Sequence, residues 1–425
     1  MKYASVLLAL GCLVTAVYPQ WLEATIQLDS GSAPYALCYN SRDNKVYCAN
    51  IGANTVTVVD GATNAVITTF AVDSLPYALC YNSQDNKIYC ANHYGHTVSV
   101  IDGAGDSVMT TLPAGRIPYD LCYNPQNNKV YCSSEGSDNV LVVDGASDTV
   151  METITVGTTP EGLCYNLTSN KVYSANVASR TVTVIDGATN AVITSVGVGS
   201  NPHTFTLNTF NNKVYCANAF SSNVTVIDGV TDGVLATVMV EWWPRDLCYN
   251  DHDNKVYCVC QEDTGVFVIG GTTNTVVAHM ATGYRPYGLC YNGQNNKVYC
   301  SNWATNTVSV IDGSTDSVIE SIDVGQGPQT PVWNPIENRM YVANRNSSTI
   351  SVLRDSGGGI EEIPKPHARS RKLEATVIRT VPAGAVAFDA MGRRVLSPKS
   401  GVYFVRDEGR GAGDAVPIRK VVIQK

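Results

Sequence analysis

The sequence predicts an all-β protein, an eight-bladed β-propeller followed by a small C-terminal β-sandwich-like domain, on three observations. First, Pro34, Pro76, Pro118, Pro160, Pro202, Pro244, Pro286 and Pro328 stand 42 residues apart with no insertion between them; a fixed period of this size marks a repeat architecture. Second, each copy holds four short runs rich in Val, Ile, Tyr and Thr, as in "YALCYN", "NKVYCAN", "NTVTVVD" and "NAVITTFAV", separated by turn-formers such as "SRDN", "IGAN" and Asp60-Gly61. Four strands make one antiparallel blade, and blades around an axis cover both faces of each sheet and leave only short edges. Third, the strands can be counted to closure. The eighth copy breaks off after its third strand, near Leu353, while "EATIQLDSGSAP" (Glu23 to Pro34) reads like a fourth strand displaced to the front of the chain. The count gives eight blades, with seven as the alternative.

The elements follow in chain order. Met1-Lys2 and the apolar run Ala4 to Val17 read as a signal peptide over residues 1–18; a lipoprotein signal at Cys12 is the other reading, although the apolar run continues past it. No other run approaches the roughly 20 apolar residues that a membrane span needs. The propeller is expected over 21–355, a linker over 356–372 in "GGGIEEIPKPHARSRK", and a C-terminal domain over 373–425. With 44% apolar and 16% charged residues the chain has ample material for a buried core. Of the 29 Lys+Arg, 13 lie after Gly357, against 7 of the 37 Asp+Glu, so the tail carries +6 and the remainder −14. An acidic body argues against nucleic acid or an anionic membrane as partner.

The repeated text resembles the YVTN-type β-propellers of bacterial and archaeal surface proteins. The family's Tyr-Val-Thr-Asn appears as Tyr341-Val342-Ala343-Asn344 and as Tyr47-Cys48-Ala49-Asn50, and "TVTVIDGATNAVI" (Thr181 to Ile193) matches the rest of the unit. Many members have seven blades, and Cys here occupies a place usually given to small apolar residues. The tail resembles the C-terminal sorting domain of type IX secretion cargo, on Asp389-Ala390-Met391-Gly392-Arg393, Gly401-Val402-Tyr403-Phe404-Val405 and the basic Arg419-Lys420, and reads as three strands with a turn at Gly392. The two resemblances imply a secreted or cell-surface protein that meets the secretion machinery through its tail. A small sandwich domain with no transport role is the plain alternative.

Ten cysteines recur in pairs ten residues apart: Cys38/Cys48, Cys80/Cys90, Cys122/Cys132, Cys248/Cys258 and Cys290/Cys300. If each hairpin turns about a residue such as Asp43, the two stand opposite each other and a disulfide can close, in a compartment that permits it. Against this, the position also accepts Ser174, Thr206 and Val342, which points to small core residues. Cys258-Val259-Cys260 invites a metal or redox reading, but with no CxxC and six scattered His neither a metal site nor a cofactor is expected.

No haem-attachment, nucleophile-elbow or other catalytic motif is present, so no enzyme is expected, although propeller hydrolases and lyases of the lactonase kind assemble their sites from scattered residues. The recurrent Asp60, Asp102, Asp144, Asp186, Asp228 and Asp312 precede Gly and read as turn chemistry. The more informative signal is the difference between copies. The a–b and c–d turns barely change, whereas the d–a loops ("VDSLP", "PAGRIP", "VEWWPR", "TGYRPY") and b–c loops ("NHYGHT", "SEGSDN", "NAFSSN", "NWATNT") vary strongly and share the opposite face. Trp242, Trp243, Arg245, Tyr284, Arg285 and Trp303 gather there in blades six and seven, with His93 and Tyr94 as a second group. Aromatic rings beside arginines suit a glycan or a protein surface. The expected function is a ligand-binding or adhesion module, with a propeller hydrolase or lyase and a structural coat protein as alternatives.

Overall fold

Pro34–Asn40, Lys45–Asn50, Thr55–Asp60 and Val66–Ala71 form the four strands a to d of the first blade, hydrogen-bonded in that order. Strands b and c, made of Val, Tyr, Thr and Cys, are buried almost throughout, because neighbouring blades cover both faces. Strand d lies at the outer edge and exposes Val66 and Ile67. The computed structural model describes residues 20–262 and 265–355, and the strands Thr376–Ile378, Ala385–Phe388, Arg394–Val395, Gly401–Asp407 and Ile418–Ile423. The unit is repeated in eight four-stranded sheets, not seven. The eighth is completed by Gln20–Gln27, which runs antiparallel to Thr349–Asp355. The front of the chain thus closes the ring.

The repeated words are the bonds between blades. Tyr47, buried like its seven equivalents, donates to the Gly103 carbonyl at 3.0 Å and to Asp106 at 2.6 Å, and Lys45 reaches the same turn. The Lys-x-Tyr of one strand b therefore grips the c–d turn of the next blade. A second belt runs through asparagines: Asn40 Nδ2 donates to Asn86 Oδ1 at 2.9 Å, Asn82 does so to Asn128, and the series ends with Asn334 donating to Asn44. Asn44 and its equivalents take left-handed backbone, φ 51° at Asn44, which Asn tolerates better than most residues. The recurrent aspartates are turn residues as expected: Asp60 Oδ1 accepts the amides of Ala62 at 3.0 Å and Thr63 at 2.7 Å.

The disulfide expectation is corrected. All ten paired cysteines, and Cys164, Cys216 and Cys260, are free thiols. The a–b hairpin has a four-residue turn, held by Asn40 Oδ1 accepting the amides of Arg42 and Asp43, so Asn40 pairs with Lys45 and Leu37 with Cys48. Cys38 pairs with Tyr47, one position on, and so faces the other side of the blade from Cys48. The same offset separates Cys80 from Cys90, Cys122 from Cys132, Cys248 from Cys258 and Cys290 from Cys300. Cys90 accordingly packs with Tyr47 of blade one, and Cys80 against Leu121 of blade three. Cys258 and Cys260 are both buried in one apolar cluster, where the neighbouring Cys260 thiol and then burial push the Cys258 thiol up.

The chain divides into two compact units, Met1–Gly359 and Ile360–Lys425. In the second, the described strands form one five-stranded sheet, with Gly401–Asp407 antiparallel to both Ala385–Phe388 and Ile418–Ile423. The expected signal peptide, the linker and the turn at Gly392 lie outside the described residues. Among the described residues no helix is long and apolar enough to cross a membrane.

Candidate functional site

Strand a of each blade lies innermost, and the residue after each repeat proline opens its inner end. That column reads Tyr35, Tyr77, Tyr119 and Glu161 in blades one to four, then His203, Arg245, Tyr287 and Gln329 in blades five to eight. The b–c loops hydrogen-bond to the d–a loops, as in Ile51 N to Ala33 O and Trp303 N to Arg285 O, while the c–d turns bond to the a–b turns, as in Gly61 N to Asn44 O. The column therefore sits at the variable face. There all of its members but Glu161 line a cavity of about 290 Å³ at the channel mouth.

Most of this ring is bonded to itself. Tyr35 donates to the Tyr77 hydroxyl at 2.7 Å and lies 3.2 Å from that of Tyr287. Arg245 donates to the Tyr287 hydroxyl and stacks over its ring at 3.9 Å. Tyr77 packs on Tyr119 at 5.0 Å between ring centres, and Tyr119 makes a polar contact with the Glu161 carboxyl. An arc of six positions thus runs from a guanidinium to a carboxyl group. Burial, reinforced by Glu135, pushes Glu161 up to about 7, with Tyr119 and Arg245 acting in the opposite sense.

His203 and Gln329 stand outside the arc. Oε1 of Gln329 is buried without a hydrogen-bond partner, whereas Gln329 Nε2 donates to the Gly327 carbonyl at 2.8 Å, and the buried His203 ring lies beside the backbone of Ala217 and Arg245. Burial and then the Arg245 charge pull the imidazole down to about 4, so it is neutral near pH 7. Gly162 permits this placement, because a Cβ there would collide with the His203 carbonyl oxygen. One step deeper are Asp120 and Asp246. Each bridges two blades by accepting two backbone amides: Asp120 those of Leu121 at 2.8 Å and Leu163 at 2.9 Å, Asp246 those of Leu247 and Leu289, both at 2.9 Å. Burial pushes both carboxyls up to about 6.

The residues singled out in the sequence fall into two groups. His93, Arg245, Arg285 and Trp303 belong to the mouth or lie around it. His93 stacks on Tyr77 at 5.0 Å, and Arg345, its equivalent in blade eight, lies 5.8 Å over Tyr35. Trp303 occupies the same position in blade seven, where Arg285 lies 5.9 Å over its ring and pairs with Glu262 at 3.3 Å. Trp242, Tyr284 and Tyr94 stand in solvent at 67%, 53% and 64% exposure, and Trp243 packs edge-on against Phe220 at 5.0 Å. Trp243 and Arg285 precede the repeat proline, where the backbone is left-handed, φ 61° and 52°. Of the column after the proline, the sequence reading singles out Arg245 alone, although the whole column is readable by comparing copies: within the strand "PYALCYN" it changes from Tyr to Glu, His, Arg and Gln.

A family model described as YNCE-like beta-propeller matches residues 3–171, less than half of the chain. A solved structure titled Kuenenia stuttgartiensis Hydrazine Synthase is similar with a TM-score of 0.57 and 17% identity, over 78% of this chain and 97% of that one. At this identity the likeness concerns the fold alone. None of the curated proteins compared matches the sequence significantly. The sheets and the family match together identify the chain as a β-propeller similar, over its first blades, to the YNCE-like group.

Proposed function

We propose that the chain is a non-catalytic glycan-binding module that works from its variable face, with the channel mouth at the centre and exposed aromatics around it. The observation that carries this reading is the asymmetry of the ring. One end is occupied by near-identical turns locked into the next blade, and the other displays Trp242, Tyr284 and Tyr94 in solvent around a cavity to which the blades contribute four tyrosines, a histidine, an arginine and a glutamine. Solvent-facing rings cost apolar exposure unless a ligand covers them, and sugar rings stack on such faces. The apolar leader, together with a tail resembling secretion-sorting domains, fits delivery of this module to the cell exterior.

The test is a glycan array probed with the purified full chain, alongside Trp242→Ala and Trp303→Ala. The expected result is a defined set of bound glycans, weakened at least tenfold by one or both substitutions, with the recovered glycans chemically unchanged in mass. Cleaved or eliminated glycans would establish a hydrolase or lyase instead. Binding only to proteins, or ordered assembly of the chain without any ligand, would overturn the reading in favour of a protein adhesin or a coat.

A further inference from the structure

We infer that the cavity at the channel mouth is a subsite for a small zwitterion, an α-amino acid with an apolar side chain, whose carboxylate meets Arg245 and whose ammonium meets Asp246. This goes beyond the glycan reading and does not depend on it. Two opposite charges share the cavity and stay apart. Arg245 and Asp246 are neighbours in strand a of blade six, both line the cavity, and both keep part of their surface accessible. The guanidinium acts on the carboxyl through its field, yet no ion pair joins the two among the described residues. Each is held back by its own partners. Arg245 lies 3.9 Å over the Tyr287 ring and donates to its hydroxyl, while Asp246 accepts the amides of Leu247 and Leu289, both at 2.9 Å.

Both groups have bonding capacity left over. A guanidinium carries five N–H donors, and the bond to Tyr287 is the only one the Arg245 side chain donates among the described residues. No Arg245 nitrogen is buried without a partner, so the remaining donors face accessible space. Each Asp246 oxygen accepts one amide and keeps a further lone pair. Burial raises this carboxyl to about 6, which leaves it ionised at neutral pH. The fold thus fixes a dipole, and an α-amino acid, with carboxylate and ammonium on one carbon, carries the complementary one. A simple anion satisfies the guanidinium and is repelled by Asp246, a simple cation does the reverse, and a neutral molecule leaves both charges without a counter-ion. The opposite side of the ring selects the side chain. Blades eight, one and two line the cavity with Pro331, Val332, Ala36, Leu37, Ala78 and Leu79, apolar surface that an aliphatic group covers. About 290 Å³ is at the small end of ligand pockets, room for one molecule of leucine size.

The experiment is calorimetric titration at pH 7 of the full chain with leucine and valine, with saturation-transfer NMR as a second readout. Three derivatives of the same size delete the charges in turn: leucinamide keeps the ammonium, N-acetylleucine keeps the carboxylate, and N-acetylleucinamide keeps neither. Glycine deletes the side chain. We expect leucine or valine to bind saturably, at least tenfold more tightly than glycine and than every derivative. Arg245→Gln and Asp246→Asn should each weaken that binding at least tenfold, and Val230→Ser, on the constant face, should leave it unchanged. Thermal unfolding confirms that each variant is folded. Should Asp246→Asn fail to fold, Arg245→Gln and the derivative series on the parent chain decide. A single-charge derivative that binds as well as leucine would overturn the dipole pairing, and glycine binding as well as leucine would overturn the apolar wall. Amino-acid binding that survives Arg245→Gln would overturn the site, as would the absence of any binding. The glycan array reads the other proposal separately, so a blank titration beside a positive array removes this subsite alone.

Discussion

Cys38 and Cys48 are ten residues apart in sequence and on opposite faces of one sheet, and the cause is a single residue of loop length. The a–b turn spans Ser41 to Asn44, so paired positions sum to an odd number and no two residues ten apart can meet. Spacing alone leaves that parity open; the Asn40 side chain, capping the amides of Arg42 and Asp43, decides it. What the cysteines contribute is volume in the packing between blades, and burial pushes thiols such as Cys38 and Cys164 up to about 12, away from the thiolate that reacts. Iodoacetamide at pH 8 is therefore expected to leave Cys38 to Cys300 unlabelled in the native chain and to label all thirteen described cysteines after unfolding without reductant. A pair protected under those denaturing conditions would mean that a disulfide exists. The same residue scale shows what was legible. Invariant letters, the Asn and Lys-x-Tyr, are inter-blade bonds, and varying letters line the mouth, but variation inside a strand was passed over because loops are where function is sought first.

Closure at the element scale depends on a strand that is far from its blade in sequence. Gln20–Gln27 adds to the exposed edge of Thr349–Asp355 and buries Ile26 against Ile350 and Val352. Its place was readable because "EATIQLDSGSAP" repeats the pattern of a d strand; the lock that holds it was not, since it joins residues more than 300 positions apart. Six blades use Lys to reach the next c–d turn, Lys297 of the seventh pairs with Asp355 at the end of the last strand c, and the eighth uses Arg339. Arg339 Nη1 donates to the Gly61 and Ala62 carbonyls at 2.7 and 2.8 Å, as a lysine would, and its remaining fork clamps Glu23 of the closing strand at 2.6 and 2.7 Å. A planar fork serves both tasks and an ammonium serves one. Arg339→Lys should then lose the strand clamp and cost about 1 kcal/mol, whereas Arg339→Leu should lose both links and leave Glu23 only Arg354, 3.8 Å away, at about 2 kcal/mol. Urea unfolding measures both. Equal costs would show that the arginine has no second role.

Packing of successive blades brings Glu161 beside Tyr119 of the preceding blade and within the field of Arg245, two blades on. Its titration is therefore a property of several blades together. In the unfolded chain the carboxyl titrates near its ordinary 4.5, while burial followed by Glu135 raises it to about 7 in the fold. The folded state thus holds the proton more tightly between those values. The sign follows: this stabilisation is complete below about pH 4.5 and is lost as pH rises through about 7. His203 runs the other way, since its lowered value near 4 makes folding less favourable as pH falls from its ordinary 6.5 towards 4. Glu161→Gln keeps the shape and the contact with Tyr119 but cannot ionise, so it isolates the first effect. Relative to the parent chain the variant should be more stable at pH 8 by on the order of 1 kcal/mol, and the gain should vanish at pH 4.5, where the parent carboxyl is protonated. Urea unfolding at the two pH values reads this difference directly. A gain of the same size at both would assign it to packing, and would mean that the mouth does not hold a carboxyl poised near neutrality.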